Sequence, residues 1–210
     1  DADRDAGHPT SESAYSAARG ELTRIFNGLS ENADTDVVDD LYARLREVLG
    51  FDAPIRWESV RLGGSDTEAG PVIAVRTRGL TGAAPLVIVE ARGALALEDL
   101  LAKDEKTLRR SFHTDDHDIT SVATLLSRLF VADDGPQFAL VLAGGLAVIT
   151  ERERWLEGRY LAVDLQLVGE RNDTRRGGEI DRALTCLAAD SLAPDAEGDI
   201  WWANVINESI

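Results

Sequence analysis

The chain has 210 residues and one cysteine, Cys186, which excludes an internal disulfide framework and a cysteine-based zinc site. Hydrophobic residues make up 44% of it, ordinary for a globular protein, and the length suits one domain or one domain with appendages. The formal net charge of -16 argues against a free nucleic-acid-binding module, because affinity for DNA rests largely on Lys and Arg neutralising phosphates.

No apolar run approaches the roughly 18 residues that a membrane helix needs. The N-terminal stretch DADRDAGHPTSESAYSAARG has no apolar core of the kind a signal peptide carries. Residues 1–19 read as a mobile acidic leader, and the missing initiator Met reads as a processed or truncated start. A single thiol and no signal peptide together point to a reducing, cytoplasmic setting.

Leu22, Ile25, Phe26 and Leu29 recur at helical spacing and predict a short helix over about 20–29. Thr35 is placed to cap a second helix, whose apolar residues are Val37, Val38, Leu41, Leu45, Val48 and Leu49. Gly50 offers a left-handed stop, and Phe51 to Trp57 leads into a β region with a turn at Gly63-Gly64. PVIAVRTRG (71–79) and APLVIVEARG (84–93) read as neighbouring strands, with a hairpin as one way to join them. Leu86 to Val89 is apolar on both faces, as a central strand covered on each side requires. LALEDLLAKDEKTLRRSF predicts a helix, and Asp116 or Asp118 a cap for the next one, DITSVATLLSRLF.

FALVLA and LAVITER flank Gly144-Gly145 and form the clearest hairpin in the chain. Residues 153–170 are ambiguous: YLAVDLQLV alternates like a strand, yet Leu161, Leu165 and Val168 also suit a helix. EIDRALTCLAADSL is helical up to Pro194, and WWANVINESI begins another amphipathic helix, which suggests a native chain that continues. The order of elements predicts a mixed α/β layer structure. It divides into the leader, an α/β domain over 20–170 and a helical extension over 171–210.

Chemistry concentrates in PVIAVRTRG and APLVIVEARG. A metal-dependent nuclease needs acids that converge on a divalent ion, commonly with a Lys nearby. Glu90 and Arg92 stand at i and i+2 on a buried strand, which places both on one face. LVIVEAR resembles the Glu-x-Lys strand of PD-(D/E)XK nuclease domains, such as those of type I restriction subunits and type IIG restriction–methylation enzymes. FALVLAGGLAVITERERW resembles the strand–turn–strand that follows there, and RYLAVDLQLV with EIDRALTCLAADSLAP the next part. The order over residues 20–210 is similar to the N-terminal region of large actinobacterial class I SAM-dependent DNA methyltransferases of phage-defence systems.

The resemblance implies a restriction-endonuclease-like α/β fold and a methyltransferase elsewhere in a longer protein. This chain has no Asn-Pro-Pro-aromatic motif and no Gly-rich SAM loop, so it implies no bound cofactor here and SAM only downstream. The nuclease site departs from the pattern. Arg92 replaces the Lys, and a planar guanidinium cannot act as a base. The expected Asp is missing at Pro71-Val72, and Asp66 or Glu68 substitutes only if the preceding loop folds back. Glu90 and Arg92 therefore read as a paired charge at a strand end. The expected role is architectural: an inactive nuclease-like domain that positions a DNA-modifying protein on DNA or recruits defence partners. The alternatives are a working Mg²⁺-dependent nuclease using Glu90, Asp66 or Glu68, and Arg92, or an acidic interaction module.

Other candidates read more plainly as structure. Arg171, Arg175 and Arg176 form the one basic knot and are the DNA-binding candidates, against a solvated loop. The cluster His113, Asp115, Asp116, His117 and Asp118 matches no strong metal motif, so no metal site is expected. Ser111, Ser121 and Ser127 lack a nucleophile-elbow pattern. Cys186 reads as a buried, inert thiol, and Trp201 with Trp202 as packing rather than base stacking.

Overall fold

The computed structural model describes residues 10–29, 35–51, 61–62, 65–66, 72–75, 84–93, 96–114 and 118–208. Two helices come first, α1 (Ser11–Gly28) and α2 (Thr35–Val48). Helix α1 starts within the stretch expected to be leader. Thr10 caps it by accepting from the Ser13 N–H, and Tyr15 and Ala18 are buried with Leu22 and Phe26. Tyr15, Ala18, Leu22 and Phe26 continue one helical stripe, so burial, not composition, sets where this helix begins.

Two short strands, β1 (Arg61–Leu62) and β2 (Ser65–Asp66), pair antiparallel, with the Gly63-Gly64 turn outside the described residues. The principal sheet holds β3 (Val72–Val75), β4 (Leu86–Glu90), β7 (Phe138–Ala143), β8 (Leu146–Glu151) and β9 (Leu161–Asp164), in the order β3-β4-β7-β8-β9. All neighbours are antiparallel except β4 and β7. The β4–β7 crossover carries α3 (Leu97–Leu100), the small pair β5 (Phe112–His113) and β6 (Asp118–Ile119), and α4 (Val122–Val131). The expected hairpins β3–β4 and β7–β8 both form. Ala143 pairs with Leu146 across Gly144-Gly145, and Gly144 takes φ 59°, which a residue with a Cβ adopts only at a cost.

Period-two alternation assigns the two faces of the sheet. Leu86, Ile88, Phe138, Leu140 and Leu142 pack in one core with α1, α2 and the C-terminal helices. Val87, Val89, Ala139 and Val141 pack in the other with Leu100, Phe112 and the buried face of α4. The result is a mixed α/β fold with a five-stranded mixed sheet flanked by helices. The C-terminal helices are α5 (Arg152–Leu156), α6 (Leu165–Arg171), α7 (Glu179–Leu187), α8 (Ala189–Leu192) and α9 (Trp201–Glu208). Ile180, Leu184, Leu187, Leu192 and Ile200 share the core of the sheet's first face.

Three local expectations need correction. The helix expected over LALEDLLAKDEKTLRRSF shrinks to one turn, α3. Beyond it the backbone is captured by the end of β4: Ala91 bridges Leu108, Arg92 N–H donates to Thr107 O (2.8 Å), and Arg109 N–H to Glu90 O (3.3 Å). Helix α4 is capped by Ser121, whose hydroxyl accepts from the Thr124 N–H, and not by Asp118; Asp116 lies outside the described residues. The helix over EIDRALTCLAADSL breaks at Ala188, because Ala189 N–H donates to Leu49 O (2.7 Å) and the extended backbone at Ala188 follows. The ambiguous YLAVDLQLV is strand and helix in succession, β9 and then α6, with Asp164 capping the Leu167 N–H.

Candidate functional site

Glu90 ends β4, the strand beside the single parallel pairing of the sheet. Its parity with Leu86 and Ile88 turns it toward α2. That helix presents Asp39, Tyr42 and Arg46, spaced i, i+3 and i+7 along one face, together with buried Leu41 and Leu45. Glu90 is 2% exposed and Arg46 6%. The Arg46 Nη1 donates to Glu90 Oε1, and Arg109 Nη1 donates to Oε2 at 2.9 Å. Arg109 pairs in turn with Asp39 through Nη2, and its guanidinium lies 6.0 Å from the centre of the Tyr42 ring.

Tyr42 ties the same corner to the backbone. Its hydroxyl donates to Ala91 O at 2.8 Å and accepts from the Gly144 N–H at 2.7 Å, so it joins the ends of β4 and β7 to α2. Burial pushes the phenol far above its ordinary value, the Gly144 N–H opposes this, and Glu90 adds to it. Burial also pushes the Glu90 carboxyl up from its ordinary value, against the pull of Arg46 and the smaller pull of Arg110. Burial lowers Arg109, with Arg110 acting in the same direction. Desolvation thus outweighs pairing for Glu90, as is common for buried ion pairs.

Arg92 does not complete this cluster. It is exposed, and its guanidinium lies 3.4 Å from Lys106 O, so the partners of Glu90 are Arg46 and Arg109 instead. Asp66 stands in β2 opposite Arg61, and Glu68 lies outside the described residues. Among the described residues no three His, Cys, Asp or Glu side chains converge as metal ligands. His113 Nδ1 and Asp118 Oδ1 are 2.7 Å apart on the surface, while Asp115, Asp116 and His117 lie outside the described residues.

No family model, curated protein or solved structure matches this chain. The site is therefore read from its own geometry. Both oxygens of its central carboxylate carry charge-assisted hydrogen bonds, and almost none of the group meets solvent. That arrangement locks α2, β4 and the segment at 107–110 together. It presents no open carboxylate edge to a hydrated ion.

The basic knot is also committed. Arg171 pairs with Glu179 at 2.7 Å, and Arg175 grips Asp173 through two bonds of 2.8 and 2.9 Å, holding that carboxyl well below its usual range. Arg176 is exposed. Burial pushes the Cys186 thiol up, away from thiolate chemistry. Trp202 Nε1 donates to Cys186 O at 3.0 Å, while Trp201 is exposed and meets Trp202 edge to face. Ser127 accepts from Trp155 Nε1 and donates to Ala123 O.

Sequence reasoning missed Asp39, Tyr42, Arg46 and Arg109. The signal for two of them was present: Tyr42 and Arg46 stand i, i+4 among Leu41, Leu45 and Leu49, which puts a cation inside an apolar helical face. Nothing in the local pattern marks Arg109, because a tertiary backbone pairing delivers it.

Proposed function

We propose that this chain is a nuclease-like domain without cleavage activity, which positions a DNA-modifying protein or its defence partners on DNA. The carrying observation is Glu90, placed at the end of an interior strand of a mixed sheet and saturated by two guanidiniums. The first half supports a fold descended from a nuclease, and the second supports loss of the metal-dependent step. Arg46 and Arg109 supply the positive charge beside the carboxylate that a divalent ion supplies in a working site. SAM-dependent chemistry, in this reading, belongs to other parts of a longer protein. Among the described residues no helix is long and apolar enough to cross a membrane.

The test is plasmid cleavage with Mg²⁺ and Mn²⁺, run beside Glu90→Ala, on this chain and on the longer protein. The expected result is no cleavage by either form. Expected too is no rise in thermal midpoint with Mg²⁺, since a ligand bound only by the native state raises stability. Cleavage that disappears in Glu90→Ala overturns the proposal and makes the chain a divergent nuclease. Deleting residues 1–210 from the longer protein is expected to impair DNA affinity, methylation or defence. Full retention of all three overturns the positioning role.

A further inference from the structure

The C-terminal helix α9 lies over the face of the sheet that carries Phe138 and Ile149, where Trp202, Ala203 and Ile206 pack against the core. Its first turn is tied down, because Trp202 Nε1 donates to Cys186 O on α7 at 3.0 Å. No residue of α9 is fully buried. A cleft of about 320 Å³ remains between α9 and the β8–β9 edge. Small-molecule sites commonly hold roughly 300–1,000 Å³, so this one suits a small ligand. Edge strand β9 pairs with β8 only as far as Leu161 opposite Ile149, while β8 itself runs on to Glu151. Thr150 Oγ1 donates to Arg159 O at 3.2 Å and keeps the returning chain beside that end of β8.

Phe138, Ile149, Leu161, Val205 and Ile206 give the cleft an apolar lining. Phe138 and Ile149 are buried and Leu161 is exposed, so this lining runs from the core out to the free edge of the sheet. Arg154 and Arg159 line the same cleft, the first half-buried and the second exposed. Each reaches the same Glu157 oxygen through one Nη1, at 3.4 and 3.2 Å. Among the described residues no other acid pairs with either guanidinium. Glu151, the acid that lines the cleft, is engaged through Oε2 as the cap of α5, where it accepts from the Glu153 and Arg154 N–H groups. Two guanidiniums therefore divide one carboxylate between them. A guanidinium is a planar fork able to hold a carboxylate through two parallel bonds, and one long contact each leaves most of that capacity unused.

We infer that this cleft binds a small monocarboxylic acid with an apolar body. The body lies on Ile149, Leu161 and Ile206, out of water, and the carboxylate takes the donors of Arg154 and Arg159 that Glu157 leaves unused. A neutral molecule with the same body gains the first contact and not the second. An amine meets the two cations as a like charge, which opposes binding. The net charge of -16 does not prevent this, because at physiological salt exposed charges beyond about 8 Å are largely screened and the nearby groups decide. The cleft stands at the Phe138 end of β7, whereas Glu90 pairs at the Leu142 end, so the site is independent of the function proposed above.

The test is two-dimensional NMR of the nitrogen-15-labelled chain, titrated with octanoate and separately with octanol, which has the same body and no charge. Octanoate is expected to shift the Trp202 indole and the amides at 159–161 and 205–206 saturably. Octanol is expected to bind at least about tenfold more weakly, the factor that a charged hydrogen bond contributes. The variant R154Q/R159Q should bind octanoate no better than octanol, and I206W, which fills the cleft, should bind neither. Circular dichroism and thermal midpoints check that both variants fold, and where one does not, the comparison of the two ligands on the wild-type chain decides. The site is overturned by octanoate that gives no saturable shifts, by shifts that map elsewhere, or by equal affinity for octanoate and octanol. A folded R154Q/R159Q that keeps the preference for octanoate overturns it as well.

Discussion

Glu90→Ala removes the acid from a corner that holds two guanidiniums. Arg46 is 6% exposed and is left with its charge inside the core, and Arg109 keeps only Asp39. Breaking a buried pair by removing one partner costs about 3–5 kcal/mol, because the orphaned charge stays desolvated. Arg46→Met is milder, since Glu90 retains the 2.9 Å bond from Arg109, and about 2 kcal/mol is expected, toward the low side of a charged hydrogen bond's range. The double variant Glu90→Leu/Arg46→Met replaces the pair with apolar groups of similar volume. Such replacements are neutral or stabilising by about 1–4 kcal/mol, so it should be more stable than Glu90→Ala. Urea unfolding at neutral pH gives all three values. Glu90→Ala costing under about 1 kcal/mol, or a double variant no better than the sum of the singles, would refute the reading of this corner as a coupled buried cluster.

Three further outcomes follow from other parts of the structure. Tyr42→Phe leaves Ala91 O and the Gly144 N–H unpartnered and should cost about 1–3 kcal/mol at neutral pH. The folded phenol is raised above its unfolded value, so its contribution is full below the unfolded value and is lost as pH rises through the folded one. The stability gap between wild type and Tyr42→Phe should therefore stay constant up to about pH 10 and shrink above it, and a gap in urea midpoints that already shrinks below about pH 9, or that does not shrink above about pH 10, contradicts this assignment. Gly135→Ala would place a Cβ 1.9 Å from Leu129 O, on backbone that Arg152 clamps through Ala132, Gly135 and Pro136 carbonyls. It should destabilise by about 1–3 kcal/mol, read as a lowered thermal midpoint, and an unchanged midpoint would show that this turn relaxes freely. Cys186 should react slowly with a thiol reagent in the native state and quickly in denaturant, because burial disfavours its thiolate. Cys186 is partly buried rather than fully buried as expected, and equal rates in both states contradict even that partial burial on α7.

Local pattern was enough to specify most elements. Short β-branched runs bounded by Gly and Pro marked β3 and β4, two apolar runs across a Gly-Gly turn marked β7 and β8, and a period near 3.6 marked α2, α4 and α9. The mixed α/β class followed from their order. These signals work because burial against a sheet or a helix face is a short-range constraint on which residues can be apolar. Even the strand–helix ambiguity of YLAVDLQLV was real, since both periods are present and both are used in succession.

What the chain alone left open depended on contacts between distant residues. The helix after β4 ended early because backbone groups at 90–92 bonded 107–109, and helix propensity cannot register that competition. Ala188 broke a helix for the same reason, through Leu49. Glu90 was visible as a strand-end acid, but its partners came from positions 44 and 19 residues away, and Arg92 at i+2 was not among them. Sequence determined where the charges are and which faces are apolar. Only the tertiary structure decided which charges meet, because pairing is fixed by the distance between folded elements, not by spacing along the chain.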